Sequence, residues 1–413
     1  MSRAPLRVAV LGAGTVGLEV IRALTTDADR LAPFDGSPLV LVGVAVRDLD
    51  RARANGVPAE LLTDAPAHLV ASPEVDVVVE VMGGDEPART LTAAALGAGK
   101  PVVTANKHVL AHHGPELEAI VRRTGAALRF EAAVGGGTPV LGPLAVELAA
   151  NRIDAVRGIV NGTTNHILTA MTERGRAYAD VLADAQAAGY AEADPTGDVE
   201  GDDAVNKLVI LARLAFGSWL APASIERRPP TVDGAGRPGI SGVSGEEVKA
   251  ATAVGLTLKL VAQARRGPDG AVAAEVLPTA LAADSSLART GGVENRVEID
   301  AEPVGRVAFA GPGAGGRATT SAVLGDLIAI ARGMTATWAG LAPADGSIRT
   351  VAPDDRPRRR FFASTLPEQL VRDQVDIEVA RGGGFITVAR PLDELRSELG
   401  AVGVVATLYP IGD

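Results

Sequence analysis

Apolar and polar positions change period several times along the chain. Residues 6–11 (LRVAVL) form a short β-branched apolar run that ends in GAGTVG. Apolar residues then return at helical spacing through Val20, Ile21 and Leu24. Strand, glycine turn and helix in that order open a βαβ unit. Continuous apolar runs at 39–46, 76–81, 101–104 and 127–130 read as buried strands, with helical stretches at 87–98 and 115–124 between the later ones. This alternation predicts a doubly wound parallel sheet, a Rossmann fold, over residues 1–137.

Beyond Gly137 the pattern changes. Helices are predicted at 138–150, 163–174, 178–188 and 201–216, and strands at 153–160, 256–265, 271–281 and 295–310. Residues 138–310 therefore read as an α+β domain with a mixed or antiparallel sheet packed by helices. A second glycine run, GPGAGG at 311–316, opens a long helix to about residue 332, and 311–345 is expected to return to the first domain. The Pro/Gly-rich stretch 225–245 reads as an exposed excursion. After the charged DDRPRRR (354–360), residues 355–413 predict strand 360–364, helix 367–373, strands 375–380 and 384–389, helix 391–399 and strand 402–409. That βαββαβ order is ferredoxin-like. The fold class is thus α/β with three architectures in series.

Composition narrows the chemistry. A length of 413 residues suits two or three domains, each able to bury a core. The absence of Cys excludes disulfide scaffolds, Cys-ligated metals and thiol catalysis. A net charge of −10 argues against nucleic acid as partner, since no basic surplus exists to neutralise phosphates. No apolar stretch reaches the roughly 18 residues of a membrane span, and none reads as a signal segment. A cytoplasmic protein is expected.

Gly12-Ala13-Gly14-Thr15-Val16-Gly17 is a G-x-G-x-x-G between strand and helix. The first glycine makes the turn, the second admits a pyrophosphate to the backbone, and the third lets helix pack on strand. The helix N-terminus after it offers unpaired N–H groups to phosphate. A plain glycine turn is the competing reading. The second strand ends at Val46-Arg47-Asp48, where Arg47 could meet a 2′-phosphate and favour NADP; Asp48 pulls the other way, and Asp35 lies in a loop. Thr104-Ala105-Asn106-Lys107 follows a strand at the carboxyl edge, where such sheets bind ligands. His108, His112 and His113 lack an acid at metal-ligand spacing and read as solvated. The densest constellation runs from Gly189 and Tyr190 through Glu192, Asp194, Asp198, Asp202 and Asp203 to Lys207. Asp203 and Lys207 share one helix face. A surface ion pair is the bland reading, but the following Leu208-Val209-Ile210-Leu211 makes the helix largely buried. Burial disfavours an ammonium, which suits general acid–base work.

On these residues the chain resembles the homoserine dehydrogenases. Ala185, Gly189, Tyr190, Asp194-Pro195, Asp198, Gly201, Asp203 and Lys207 are similar to the family's signature region. AVRDLD (45–50), TANKHVLA (104–111), EAAVGGGTPV (131–140), NGTTNHIL (161–168) and GPGAGGRATTSAVLGDLI (311–328) extend the likeness over about 1–340. The resemblance implies reversible oxidation of L-homoserine to L-aspartate 4-semialdehyde with NAD(P)+, on the route to threonine and methionine. It implies Lys207 as acid/base, Lys107 as second active-site lysine, and Glu192, Asp203 and Asp198 as acids that hold substrate. Tyr190, Gly162 and Thr163 would line the same pocket, although Thr163 also reads as an ordinary helix cap. Gly12, Gly14, Thr15, Val16, Gly17, Arg47, Thr104, Lys107, Gly189 and Gly315 would meet the cofactor, NADP being favoured over NAD. Glu131 with the carbonyls of Val134, Gly136 and Thr138 resembles a structural Na⁺ site, a glutamate capping the glycine turn being the alternative. A homodimer or dimer of dimers, built on the 138–310 domain, is a family expectation.

Hydride would leave the alcohol carbon for the nicotinamide while a neutral lysine takes the proton, so oxidation should favour alkaline pH. The tail has the order of the family's ACT domain, yet Ser364-Thr365-Leu366-Pro367 lacks the glycine-containing acidic turn where effectors bind. Threonine feedback is therefore not expected. L-Aspartate dehydrogenase would share GAGTVG but not the Glu192–Lys207 array, and a non-catalytic nucleotide sensor would not need both lysines.

Overall fold

The computed structural model describes residues 4–26, 31, 38–189, 191–346, 348–351, 358–364, 375–401 and 403–412. The chain divides into two compact units, each assembled from separate stretches. The first takes Met1–Asn151, Val209–Trp219 and Gly311–Gly346; the second takes Arg152–Leu208, Leu220–Ala310 and Ser347–Asp413.

The first unit is built on a six-stranded sheet of order β3-β2-β1-β4-β5-β6. Its strands are β1 (Leu6–Leu11), β2 (Leu39–Ala45), β3 (Leu62–Thr63), β4 (Val77–Glu80), β5 (Val102–Thr104) and β6 (Leu128–Arg129). All five pairings are parallel. The continuous Val/Leu runs follow from burial on both faces, since helices cover a parallel sheet above and below. Strand order reverses between β1 and β4, the point where such sheets open a crevice. The Thr15–Thr26 helix buries Val20, Ile21 and Leu24. The returning Gly316–Ala331 helix adds Val323, Leu324 and Leu327 to the same core. Gly316 permits that approach, because a Cβ there would lie 2.7 Å from the Thr15 carbonyl oxygen.

Two stretches distant in sequence are joined inside this unit by one buried acid. Glu118 accepts from Arg213 (2.9 and 2.7 Å), Arg122 (2.9 and 2.6 Å) and the Trp219 indole (2.8 Å). Burial alone would raise its carboxyl, but these donors hold it below the ordinary range.

The second unit carries a nine-stranded mixed sheet of order β11-β10-β7-β8-β9-β15-β12-β14-β13. Its centre is antiparallel: β7 (Arg152–Ile159), β8 (Leu256–Arg266), β9 (Val272–Ala282) and β10 (Glu294–Glu302). β11 is Gly305–Pro312, and the tail supplies β12 (Phe361–Ser364), β13 (Ile377–Arg381), β14 (Gly384–Thr387) and β15 (Tyr409–Gly412). β15 pairs with β9 in parallel and with β12 antiparallel, so the tail's strands extend the sheet.

Several expectations need correction. The single strand foreseen at 295–310 is two strands, interrupted at Pro303-Val304 because proline cannot continue a ladder. The helix foreseen at 138–150 shrinks to Leu141–Ala145, and residues 138–151 belong to the first unit. The last strand lies at 409–412 rather than 402–409. The 225–245 stretch is not a free excursion: Ile225, Thr231, Ile240 and Val243 are buried, and Val232 N–H and Pro230 C=O bond to Ala406 and Leu408 of the tail. The expected helix 367–373 and the turn after β12 lie outside the described residues. No described helix is long and apolar enough to cross a membrane.

Candidate active site

In the first unit, the carboxyl ends of β1, β2 and β4 enclose a cavity of about 630 Å³ lined by Gly12, Gly14, Arg47, Arg51, Met82 and the glycines 83 and 84, among others. The glycines of the motif differ in what they face. Gly12 has φ +103°, and a Cβ there would lie 2.8 Å from the Val81 carbonyl oxygen. A Cβ on Gly17 would lie 2.1 Å from the Gly12 carbonyl oxygen, so helix and turn touch there. Gly14 meets nothing within 4 Å and looks into open space. Turn, open approach and close packing are the three demands of a pyrophosphate-binding loop. Thr15, Val16 and Gly17 start the helix behind the cavity rather than lining it.

At the cavity's β2 end, Asp48 is committed to the fold: its side chain caps the Leu49–Ala54 helix, accepting from Arg51 N–H at 2.9 Å. Arg47 is exposed beside it. Thr104 is buried at the end of β5, and half-buried Lys107 begins the Lys107–Thr124 helix capped by Asn106. Neither lines the cavity, nor do Gly189 and Gly315. Gly315 has φ +109° and starts the returning helix; Gly189, with φ +76°, ends the Tyr178–Ala187 helix in the second unit. Asp35 and Tyr190 lie outside the described residues. His113 pairs with Asp85 at 2.8 Å, and His108 stacks on His112.

In the second unit, residues foreseen from the signature converge. The Asp202–Phe216 helix presents Lys207, 8% exposed, whose Nζ donates to Asp203 Oδ2 (2.7 Å) and the Val160 carbonyl (2.6 Å). Asn161 Nδ2 donates to Asp198 Oδ1 (2.7 Å) and Asp203 Oδ2 (2.9 Å), and Thr163 Oγ1 donates to Asp198 Oδ2 (3.1 Å). Asn161 Oδ1 meanwhile caps the Gly162–Arg174 helix through Thr164 N–H at 2.9 Å. The cap is therefore Asn161, not Thr163. Gly162 opens the helix, and a Cβ there would lie 3.1 Å from the Val293 carbonyl oxygen. Glu192 stays apart: it is exposed, and its only described hydrogen bond is a carbonyl accepting from Gln186. Asp194 accepts from Thr196 and shapes the loop.

Chemically, the cluster sets one buried amine among two carboxylates and a carbonyl, with a polar helix start beside it. A family model described as homoserine dehydrogenase matches residues 139–328, and one described as its NAD binding domain matches 12–131. The homoserine dehydrogenase of Corynebacterium glutamicum is 45% identical over 344 residues, 82% of this chain and 74% of that protein. The chain belongs to the homoserine dehydrogenase family. As a homoserine dehydrogenase it is an oxidoreductase that uses NAD(P). A crystal structure of a homoserine dehydrogenase from Thiobacillus denitrificans superposes with a TM-score of 0.87 at 32% identity, covering 100% of this chain and 99% of that one. A hyperthermophilic archaeal homoserine dehydrogenase in complex with NADPH matches at 0.65 and 29%, over 79% and 97%.

Glu131 of the first unit is taken up by backbone donors. Its Oε1 accepts from Val140 and Leu141 N–H (2.7 and 2.8 Å) and its Oε2 from Gly142 N–H (2.7 Å). The carboxylate thus caps the Leu141–Ala145 helix. Burial raises its carboxyl, and the three N–H groups work against that rise. Among the described residues no three His, Asp or Glu side chains group as metal ligands. Two buried polar side chains that the sequence does not single out, Asn161 and Glu80, hold neighbouring groups together. The first could have been found as Asn before a helix; the second was the one charge inside an apolar strand.

Proposed function

We propose that the protein interconverts L-homoserine and L-aspartate 4-semialdehyde, with Lys207 as the proton-transferring group. The observation that carries this is the Lys207 amine held by Asp203 and the Val160 carbonyl inside a buried, polar cluster. In oxidation the amine takes the hydroxyl proton as the alcohol carbon becomes an aldehyde; in reduction the ammonium returns it. NAD(P)+ supplies the hydride acceptor when bound. Asp203 aims the amine and Asn161 holds Asp203 and Asp198 in register, so neither carboxylate needs to move as the proton does. Asp198, Asp203 and Glu192 suit the substrate ammonium, while the N–H groups opening the Gly162–Arg174 helix suit its carboxylate. Gly162, Thr163 and Tyr190 belong to that substrate set. Lys107 is assigned as the second active-site lysine.

For the cofactor, the open face at Gly14 and the 630 Å³ cavity fit a dinucleotide. NADP is favoured over NAD because Arg47 and Arg51 both line the cavity, and Asp48, which lines it too, also caps a helix through Oδ1. We assign Thr15, Val16, Gly17, Thr104, Gly189 and Gly315 to the same cofactor. A sodium ion at Glu131, Val134, Gly136 and Thr138 would share a carboxylate that already caps a helix; activity that depends on Na⁺ would support it. Residues 152–208 and 220–310 are assigned to substrate binding and dimerisation, and 355–413 to an ACT-like tail. A soluble biosynthetic substrate supports a cytoplasmic location. The test is reduction of NAD+ and NADP+ with L-homoserine near pH 9 by the native protein and Lys207→Ala. Activity retained in the variant would move proton transfer to Lys107, and no homoserine-dependent activity in the native protein would overturn the reading.

A further inference from the structure

β4 and β5 are parallel neighbours, with Glu80 opposite Thr104 at their carboxyl ends. Both side chains are fully buried. Glu80 Oε1 accepts from Met82 N–H at 2.8 Å, and Oε2 accepts from the Thr104 hydroxyl at 2.7 Å. The Thr104 oxygen in turn accepts from Asn106 N–H at 2.9 Å. Asn106 reaches back across the gap: its Nδ2 donates to the Gly84 carbonyl at 2.9 Å. Its Oδ1 accepts from Val109 N–H at 3.2 Å and caps the helix that begins at Lys107. A closed circuit of hydrogen bonds thus joins the 82–84 turn to the 104–107 turn.

The circuit is costly for mere scaffolding. A buried carboxyl is tolerated only when its oxygens are hydrogen-bonded, and an apolar residue would hold β4 in its core as well. Burial pushes the Glu80 carboxyl up, and bonds from Thr104, Met82, Asn106 and Gly83 oppose that rise. What the circuit does hold is a turn that cannot hold itself. Gly83 and Gly84 have φ of +69° and +73° and no side chains to pack. Met82 and both glycines line the cavity, and Gly12 packs against Val81 and Met82 behind it. A dinucleotide crosses such a sheet at the reversal of strand order, with its adenosine ribose at the end of β2. The nicotinamide half then falls over the ends of β4 and β5.

We propose that Glu80 is a positioning residue for the cofactor, fixing the Met82–Gly84 turn and, through Thr104 and Asn106, the helix start that carries Lys107. The inference rests on the reading that this cavity takes NAD(P). It is tested with native protein, Glu80→Ala and Glu80→Gln by NADPH fluorescence titration, separate KM values for NADP+ and homoserine, and thermal unfolding. Glu80→Ala should weaken NADPH binding and raise the KM for NADP+ by about tenfold, with the homoserine KM within about twofold. Glu80→Gln keeps an acceptor for Met82 N–H and offers a donor to the Thr104 oxygen, so it should recover binding to within about threefold. A folded Glu80→Ala that binds NADPH like the native protein overturns the proposal, as does an equal loss of affinity for both substrates. If Glu80→Ala fails to fold, Asn106→Ala breaks the same circuit at one link. Its NADP+ KM should rise about threefold with homoserine unaffected, and an unchanged value overturns the proposal. Native protein that binds no NADPH would instead overturn the cofactor reading of the cavity, and this inference with it.

Discussion

The two candidate surfaces are made of different material. The cavity of the first unit joins glycine turns and main chain to charged side chains at its β2 end, Arg47 and Arg51, with a buried carboxylate behind it that touches no cation among its described partners. The cluster of the second unit is made of side chains, with the Lys207 ammonium among Asp203, Asp198 and Asn161. A surface built on glycine turns recognises a ligand shared by many enzymes through its main chain. A surface of charged side chains can move a proton and select a substrate. Substitutions should therefore fail in opposite ways: a Cβ added to glycine in the first, a functional group removed in the second.

The largest effect is expected at Lys207. Lys207→Ala should lower kcat by about a hundredfold or more with NADPH affinity unchanged, since only the proton-transfer group is lost. Gly12→Ala should do the converse. Its Cβ would crowd the Val81 carbonyl at a φ of +103°, and NADPH affinity should fall by about thirtyfold while Lys207 chemistry is intact in saturating cofactor. If both variants lose kcat and cofactor affinity together, the contrast between the surfaces is wrong. Asp203→Asn comes next: it keeps the shape but not the charge, and should cost about tenfold in kcat/KM for homoserine.

A fourth prediction concerns stability within the second unit. Burial pushes the Lys259 ammonium down to about 8, although its Nζ is surrounded by Asn165 Oδ1, Thr169 Oγ1 and the Thr290 carbonyl. The unfolded chain holds that proton to a higher pH, so folding stability should rise with pH above 8. Between pH 8 and 9 the rise is on the order of 1 kcal/mol, and Lys259→Met should abolish it in denaturant titrations. The smallest effect is expected at the β2 end: Arg47→Ala should narrow the NADP over NAD preference by about threefold, read as the ratio of kcat/KM values.

The parallel sheet was legible because its strands are buried on both faces and so appear as unbroken Val/Leu runs. GAGTVG and the Asp203–Lys207 spacing were legible because their partners lie within a few residues. What stayed hidden depends on contacts across long sequence separations. Composition marked 225–245 as a solvent loop, but Val199, Val276, Ala406 and Leu408 all make backbone bonds to it. Asn161 reads locally as a helix cap; its second task, spacing Asp198 and Asp203, needs residues some forty positions away. The two-residue β3 is too short to leave a hydrophobic pattern. Glu80 was visible as a charge in an apolar run, but its purpose required knowing that β5 lies beside β4.

The chain passes between its two units at residues 151/152, 208/209, 219/220, 310/311 and 346/347. No single truncation can yield either unit by itself, because each is an interleaving of separate stretches. A protease cut at 208/209, 219/220 or 310/311 would break the chain of both units, and one at 151/152 or 346/347 that of only one, so limited digestion should not give two persistent fragments that each correspond to one unit. Engineering that aims to exchange one unit for a relative's must therefore transplant several segments at once, or reorder the gene so that each becomes continuous.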